Sequence, residues 1–198
     1  IFMDLSGSMS DIIEDVVSQT ITIAMFCKKV NIPFDVYTFT TGGYYYDAVK
    51  RDDINIKGNE ISDLEKTQIV NVLSSTMKPT VLKEALYMLY TTGPANSYNG
   101  KFFINRELSP FDKMGSTPLI QTTIIAADIT KKFQRKHGIQ KTNIMIMTDG
   151  YADQIHISHD DATDVKTSWC GDMSLNFKGK ILKGETTQDM YVQCLNRL

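Results

Sequence analysis

Two apolar runs in this sequence stop abruptly at an aspartate. The first, IFMD, breaks at Asp4 before LSGSMSD, and the second, NIMIMTD, ends at Asp149 before Gly150. The second run lacks polar alternation, as suits a strand covered on both faces, and the first also reads as buried. A carboxylate in such a place is costly unless something pairs with it. Asp4 therefore either caps the helix that follows or holds a cation.

The segments between these runs define a fold class. DIIEDVVSQTITIAMFCKKV places Ile13, Val17, Thr20, Ala24 and Cys27 on one helical face, with Val16 and Ile23 beside them. Ser10 or Asp11 can cap its start, and Asp11, Glu14 and Asp15 suit the positive end of its dipole. IPFDVYTFT, rich in β-branched and aromatic residues, predicts a strand. GSTPLIQTTIIAADITKKFQRKHG predicts a helix with Pro118 in its first turn and a basic last turn before Gly138. Strands alternating with helices imply an α/β fold: a doubly wound, mainly parallel sheet with helices on both faces.

Residues 42–113 have a different character and read as a helical insertion within one domain spanning 1–198. ISDLEKTQIVNVLSSTM and PTVLKEALYMLY predict two amphipathic helices, with Ser62 and Glu65 at capping-box spacing and Pro79 in a first turn. TTGPANSYNG predicts a turn-rich loop, and Tyr44, Tyr45 and Tyr46 suggest a contact surface or a half-buried strand. Beyond Asp149, SLNFKGKILKG reads as a strand or hairpin and TTQDMYVQCLNRL as a final helix. The chain starts inside a strand without an initiator methionine, which predicts a piece of a longer protein.

Composition narrows the functions. With 42% hydrophobic and 22% charged residues, the chain is an ordinary globular sequence. A net charge of -2 argues against a general nucleic-acid binder, and no apolar run approaches the roughly 20 residues that span a bilayer. Cys27, Cys170 and Cys194 are odd in number and form no C-x-x-C pair, so a reducing, cytoplasmic compartment fits best. His156 and His159 have no third ligand in evidence and read as an exposed loop.

Loops after the carboxyl ends of strands in a doubly wound sheet line one crevice. Asp4, Ser6 and Ser8 follow the first strand, Thr117 stands at the threshold of a helix, and Asp149 follows the last clear strand. Two carboxylates and three hydroxyls form a hard oxygen set suited to Mg²⁺ or Mn²⁺. Gly7 and Gly115 are expected to permit the tight loops such a site requires. The plain alternatives are helix capping by Asp4, Ser6 and Ser8, an N-cap at Thr117, and a simple turn at Asp149–Gly150.

DLSGS, GSTPL and TDG, in this order, resemble the three motifs of the metal-ion-dependent adhesion site of von Willebrand factor A (vWA) domains. The resemblance implies direct ligation by Ser6, Ser8 and Thr117, with Asp4 and Asp149 close by, often through water. It also implies that a partner's Asp or Glu fills the remaining metal position. DLSGSM, FDVYTFTTGG, SPFDKMGSTPL and IMIMTDGYAD look most like the vWA domain of cobaltochelatase CobT-like subunits, including phage-encoded ones. That likeness covers residues 1–41 and 108–153 and is vague elsewhere.

The implied function is a non-catalytic, metal-dependent protein-binding module working with an AAA+ ATPase in a metal-chelatase or remodelling complex. No G-x-x-x-x-G-K-[ST] motif supplies the ATPase in this chain. An adhesive or structural protein without an ATPase partner is the first alternative. A metal-dependent hydrolase, with Asp153 or His156 as base, is the second; a rim loop near the metal is the competing reading of those two residues.

Overall fold

The computed structural model describes residues 1–41, 67–97, 112–150 and 152–153, together with the backbone of strands Met173–Phe177 and Lys180–Gly184. Strand β1 (Phe2–Asp4) sits inside a four-stranded sheet, flanked by β2 (Asp35–Thr40) and β4 (Ile146–Met147), both parallel to it. β3 (Gln68–Ser74) lies antiparallel on the far side of β2, giving the order β3-β2-β1-β4. The protein is thus mixed α/β, with a mixed sheet and, among the described residues, three α-helices: α1 (Ile13–Lys29), α2 (Pro79–Asn96) and α3 (Leu119–His137).

The pleat of β1 sends successive side chains to opposite sides. Phe2 joins Phe39, Leu119, Ile120, Ala126 and Ala127 in one apolar cluster, which packs α3 against the sheet. Met3 joins Leu5, Met9, Ile13, Val17, Val36, Leu73, Leu82 and Leu89 in the other, which packs α1 and α2. By the same alternation Asp4 follows Phe2, toward the side that α3 covers. The helical face expected on α1 is present: Ile13, Val17, Thr20 and Ala24 are buried, and Cys27 packs partly against the same cluster.

Three local expectations are corrected. The stretch QIVNVLS is strand β3 and not helix. Its Ile69, Val70, Val72 and Leu73 fit a helical spacing, but β-branched residues favour a pleated surface, and pairing with β2 decides the outcome. One extra residue, Val72, bulges opposite the Val36–Tyr37 step, where the Asn71 side-chain amide donates to the carbonyls of Val36 and Leu73 at 3.2 Å each. Second, α2 runs on through TTGPAN, which was expected to be a loop. Gly93 lets α2 approach α1 there: a Cβ on it would lie 3.3 Å from Glu14 Cα. Asn96 then ties the helix end to the Asp112 carbonyl at 2.9 Å.

Third, neither Ser10 nor Asp11 caps α1. Residues Gly7–Asp11 form a 3₁₀ turn, Ser10 is buried, and Ile12 stands at the N-cap with no side-chain bond. A separate antiparallel pair, β5 (Met173–Phe177) and β6 (Lys180–Gly184), realises the hairpin reading of SLNFKGKILKG. The capping box at Ser62 and Glu65, the three tyrosines, His156 and His159, Cys170, Cys194 and the expected final helix lie outside the described residues. Among the described residues, no helix is long and apolar enough to cross a membrane.

Candidate metal centre

Parallel strands β1 and β4 deliver their carboxyl ends to the same edge of the sheet, so Asp4 and the Thr148–Asp149–Gly150 turn meet there. Asp4 is fully buried. Its Oδ2 accepts a 2.8 Å hydrogen bond from the Thr148 hydroxyl, and its Oδ1 has no partner. The Thr148 oxygen also accepts from Gly150 N–H at 3.2 Å. That N–H occupies the oxygen's acceptor side, so its one proton is left for Asp4. The pair thereby sets which Asp4 oxygen is held and which is left over.

The electrostatics of Asp4 are unfavourable without a cation. Burial, reinforced by the nearby negative charge of Asp149, raises its pKa to about 6, against the opposing Thr148 hydrogen bond and the smaller pull of the neighbouring Ser6 hydroxyl and amide. A shift of about two units corresponds to about 3 kcal/mol at neutral pH. That is what full burial of one large apolar side chain contributes, about 1.5–3 kcal/mol. The core can carry such a cost, but nothing in the packing requires it.

Ser6 and Ser8, two of the hydroxyls that the sequence singled out, follow Asp4 in the same loop. Ser6 is buried and Ser8 exposed, and their Oγ atoms lie 3.1 Å apart. Thr117 is buried, while Asp149 is exposed at the rim. Asp4, Ser6 and Thr117 are thus the buried members of the set, and Ser8 and Asp149 the exposed ones.

The three loops are laced together pairwise. Loop 4–8 and loop 115–117 are joined through the backbone: Gly7 N–H donates to Gly115 O at 2.9 Å and Gly115 N–H to Leu5 O at 3.2 Å, so that Ser6 and Gly115 form a parallel bridge. Loop 115–117 is anchored just past the end of β2 as well, Ser116 N–H donating to Thr41 Oγ1 at 2.9 Å. Loop 4–8 and loop 148–153 are joined by the Thr148–Asp4 bond. Loop 115–117 and loop 148–153 are joined at Asp153, whose Oδ2 accepts from Thr117 N–H while its own N–H donates to Thr117 O at 2.9 Å.

The expected role of Gly7 and Gly115 is corrected. Neither has a positive φ; Gly150 does, at 91°, directly after Asp149, where a side chain would be strained. A Cβ on Gly7 would make only an ordinary 3.9 Å contact with Gly115 O. The tight turn in this site is the one at Gly150.

The Ser6–Gly115 bridge, the Thr148–Asp4 bond and the Thr117–Asp153 pair join the three loops that carry the five predicted ligand residues. The donor set fits a hard divalent cation: hydroxyl oxygens, two carboxylates, and a buried carboxylate oxygen with no other partner. Sequence reasoning missed two contributors. Thr148 could have been found as the hydroxyl directly before Asp149; Asp153 is engaged with Thr117 and so is not the free base that a hydrolase reading needs. No family model, curated protein or solved structure matches the chain.

Proposed function

We propose that this chain is a vWA-like, divalent-metal-dependent protein-binding module, with a doubly wound sheet and Mg²⁺ or Mn²⁺ held by Asp4, Ser6, Ser8, Thr117 and Asp149. The observation that carries the reading is the buried Asp4 Oδ1, which lacks a hydrogen-bond partner. The sheet order with β3 antiparallel at its edge, and apolar clusters on both sides, supports the fold assignment. When bound, the ion supplies a positive charge incompletely neutralised by the neutral hydroxyls, which favours a carboxylate from a partner.

This chain's own residues orient that contact: Thr148 turns Asp4, and the backbone bonds of Gly7 and Gly115 hold Ser6 against the Thr117 loop. The partner of choice is an AAA+ ATPase, with the module acting as a CobT-like, cytoplasmic accessory subunit in a chelatase or remodelling complex. Neither nucleic acid nor membrane is invoked.

Thermal denaturation tests the metal, and affinity capture tests the partner. Mg²⁺ at 100 times its Kd should add about 2.7 kcal/mol of stability by mass action, and Asp4→Ala should abolish the shift. An equal shift in the variant would sink the assignment. Capture from native lysate should retain an AAA+ ATPase in Mg²⁺ and not in EDTA. Metal-dependent capture of a non-ATPase partner alone would remove the chelatase branch and keep the module.

A further inference from the structure

We infer that Asp153 is a positioning residue for the metal centre, acting through Thr117. The inference rests on the metal reading above. Two of the three loops are held to each other by backbone bonds that almost any side chain would permit. The third loop, which carries Asp149, is attached to the Thr117 loop by the Asp153 pair. Its carboxylate takes Thr117 N–H and its amide gives to Thr117 O, so the peptide units on both sides of the Thr117 Cα are held by one residue 36 positions away. Fixing both peptide units fixes the direction in which the threonine side chain leaves the backbone.

The start of α3 makes this role specific. Its first turn contains no acidic residue, and Pro118 at the N-cap offers no side-chain bond. Helix starts leave N–H groups unpaired and favour a negative charge nearby. Thr117 N–H lies just ahead of that start, and Asp153 brings the missing carboxylate to it from another loop. A hydrogen bond to an ionised acceptor is about twice as strong as a neutral one, which suits a joint made by a single side chain. Residues of this kind, behind the ligands of a metal, typically change its affinity by about 10–100-fold when removed.

Manganese titration followed by electron paramagnetic resonance, with Mn²⁺ alone as the probe, separates the possibilities. Asp153→Ala should weaken Mn²⁺ binding by about 10–100-fold. Asp153→Asn, which keeps an oxygen able to accept from Thr117 N–H, should recover most of the loss. Melting in EDTA should change far less than the metal affinity, which a purely structural role would not produce. Amide exchange at Thr117 gives a second readout in the metal-free protein: protection should fall in the alanine variant and return in the asparagine one. If Asp153→Ala will not fold, the exchange and Mn²⁺ affinity of Asp153→Asn and Asp153→Leu provide the same comparison. Unchanged Mn²⁺ affinity in a folded alanine or leucine variant overturns the role of Asp153 and leaves the metal centre standing. Failure of the wild-type protein to bind Mn²⁺ overturns the centre, and this inference with it.

Discussion

The two ends of α3 are built by different rules. At its C-terminus, Arg135, Lys136 and His137 occupy the negative end of the dipole, and Gly138 closes the helix in the left-handed conformation with φ 64°. Its amide donates to Gln134 O. Lys136 Nζ lies 3.3 Å from Thr76 Oγ1, in the turn that leads to α2. Each of these features except the last is a local consequence of neighbouring residues. At the N-terminus there is no cap and no acid in the first turn. What surrounds that end comes from 36 residues downstream, through Asp153, and from Leu5, Gly7 and Thr41 upstream. The difference teaches that one end is arranged for the helix, and the other for what the loops enclose.

The strongest way to break this contrast is to remove the charge that makes the site end costly. Asp4→Asn keeps an oxygen to accept from Thr148 but carries no charge into the interior. In EDTA at pH 7 it should therefore be more stable than the wild type by about 2 kcal/mol, part of the roughly 3 kcal/mol that the pKa shift implies. The same variant should lose the Mg²⁺-induced rise in Tm. Urea denaturation with and without Mg²⁺ reads both effects. A variant that is less stable in EDTA would mean that the hydrogen bond from Thr148 to the charged carboxylate outweighs the cost of its burial.

The pH dependence sharpens the same point. Burial raises the Asp4 pKa to about 6 in the folded protein, from an ordinary 3.8. Between those values the folded state binds the extra proton, so stability falls as pH rises. This contribution is fully present below pH 3.8 and lost as pH passes through 6. For the metal-free protein the expected loss between pH 5 and 7 is about 1 kcal/mol from this residue. Saturating Mg²⁺ should reverse the sign, because the cation competes with the proton for Asp4. The difference between wild type and Asp4→Asn across this range isolates the Asp4 contribution from that of every other titrating group.

Much of this arrangement was legible in the sequence, for a physical reason. Asp4 and Asp149 interrupt apolar strands, and such an interruption has few explanations. The buried face of α1 and the ending of α3 at Gly138 follow from local spacing, and both stand where the sequence places them. The failures occur where a distant contact outweighs a local pattern. QIVNVLS satisfies a helical period, yet its strand state is decided by hydrogen bonds to β2. Gly93 and Pro94 read as a turn, yet Gly93 is what allows α2 to pass close to α1. Asp153 reads in the sequence as a candidate base or a rim-loop residue and not as a partner of Thr117, because that partner is a backbone amide 36 residues away with no side-chain signature.

The smallest expected effect lies at the other end of α3. Gly138→Ala forces a Cβ into the left-handed region at φ 64°, at a cost of about 1 kcal/mol. Nothing within 4 Å would obstruct the added atom, so conformational strain alone sets the loss. It should be the same in EDTA and in saturating Mg²⁺, with the metal-induced shift intact. That equality is the informative part of the measurement. Gly138 caps a helix whose other end carries Thr117, and a rigid α3 could transmit a change at one end to the other. A Mg²⁺ response altered together with stability would show that the two ends are energetically coupled and that the helix works as a lever. An unaltered response would show that the loops laced by Asp4–Thr148, Gly7–Gly115 and Thr117–Asp153 hold the site without help from the far end of the helix.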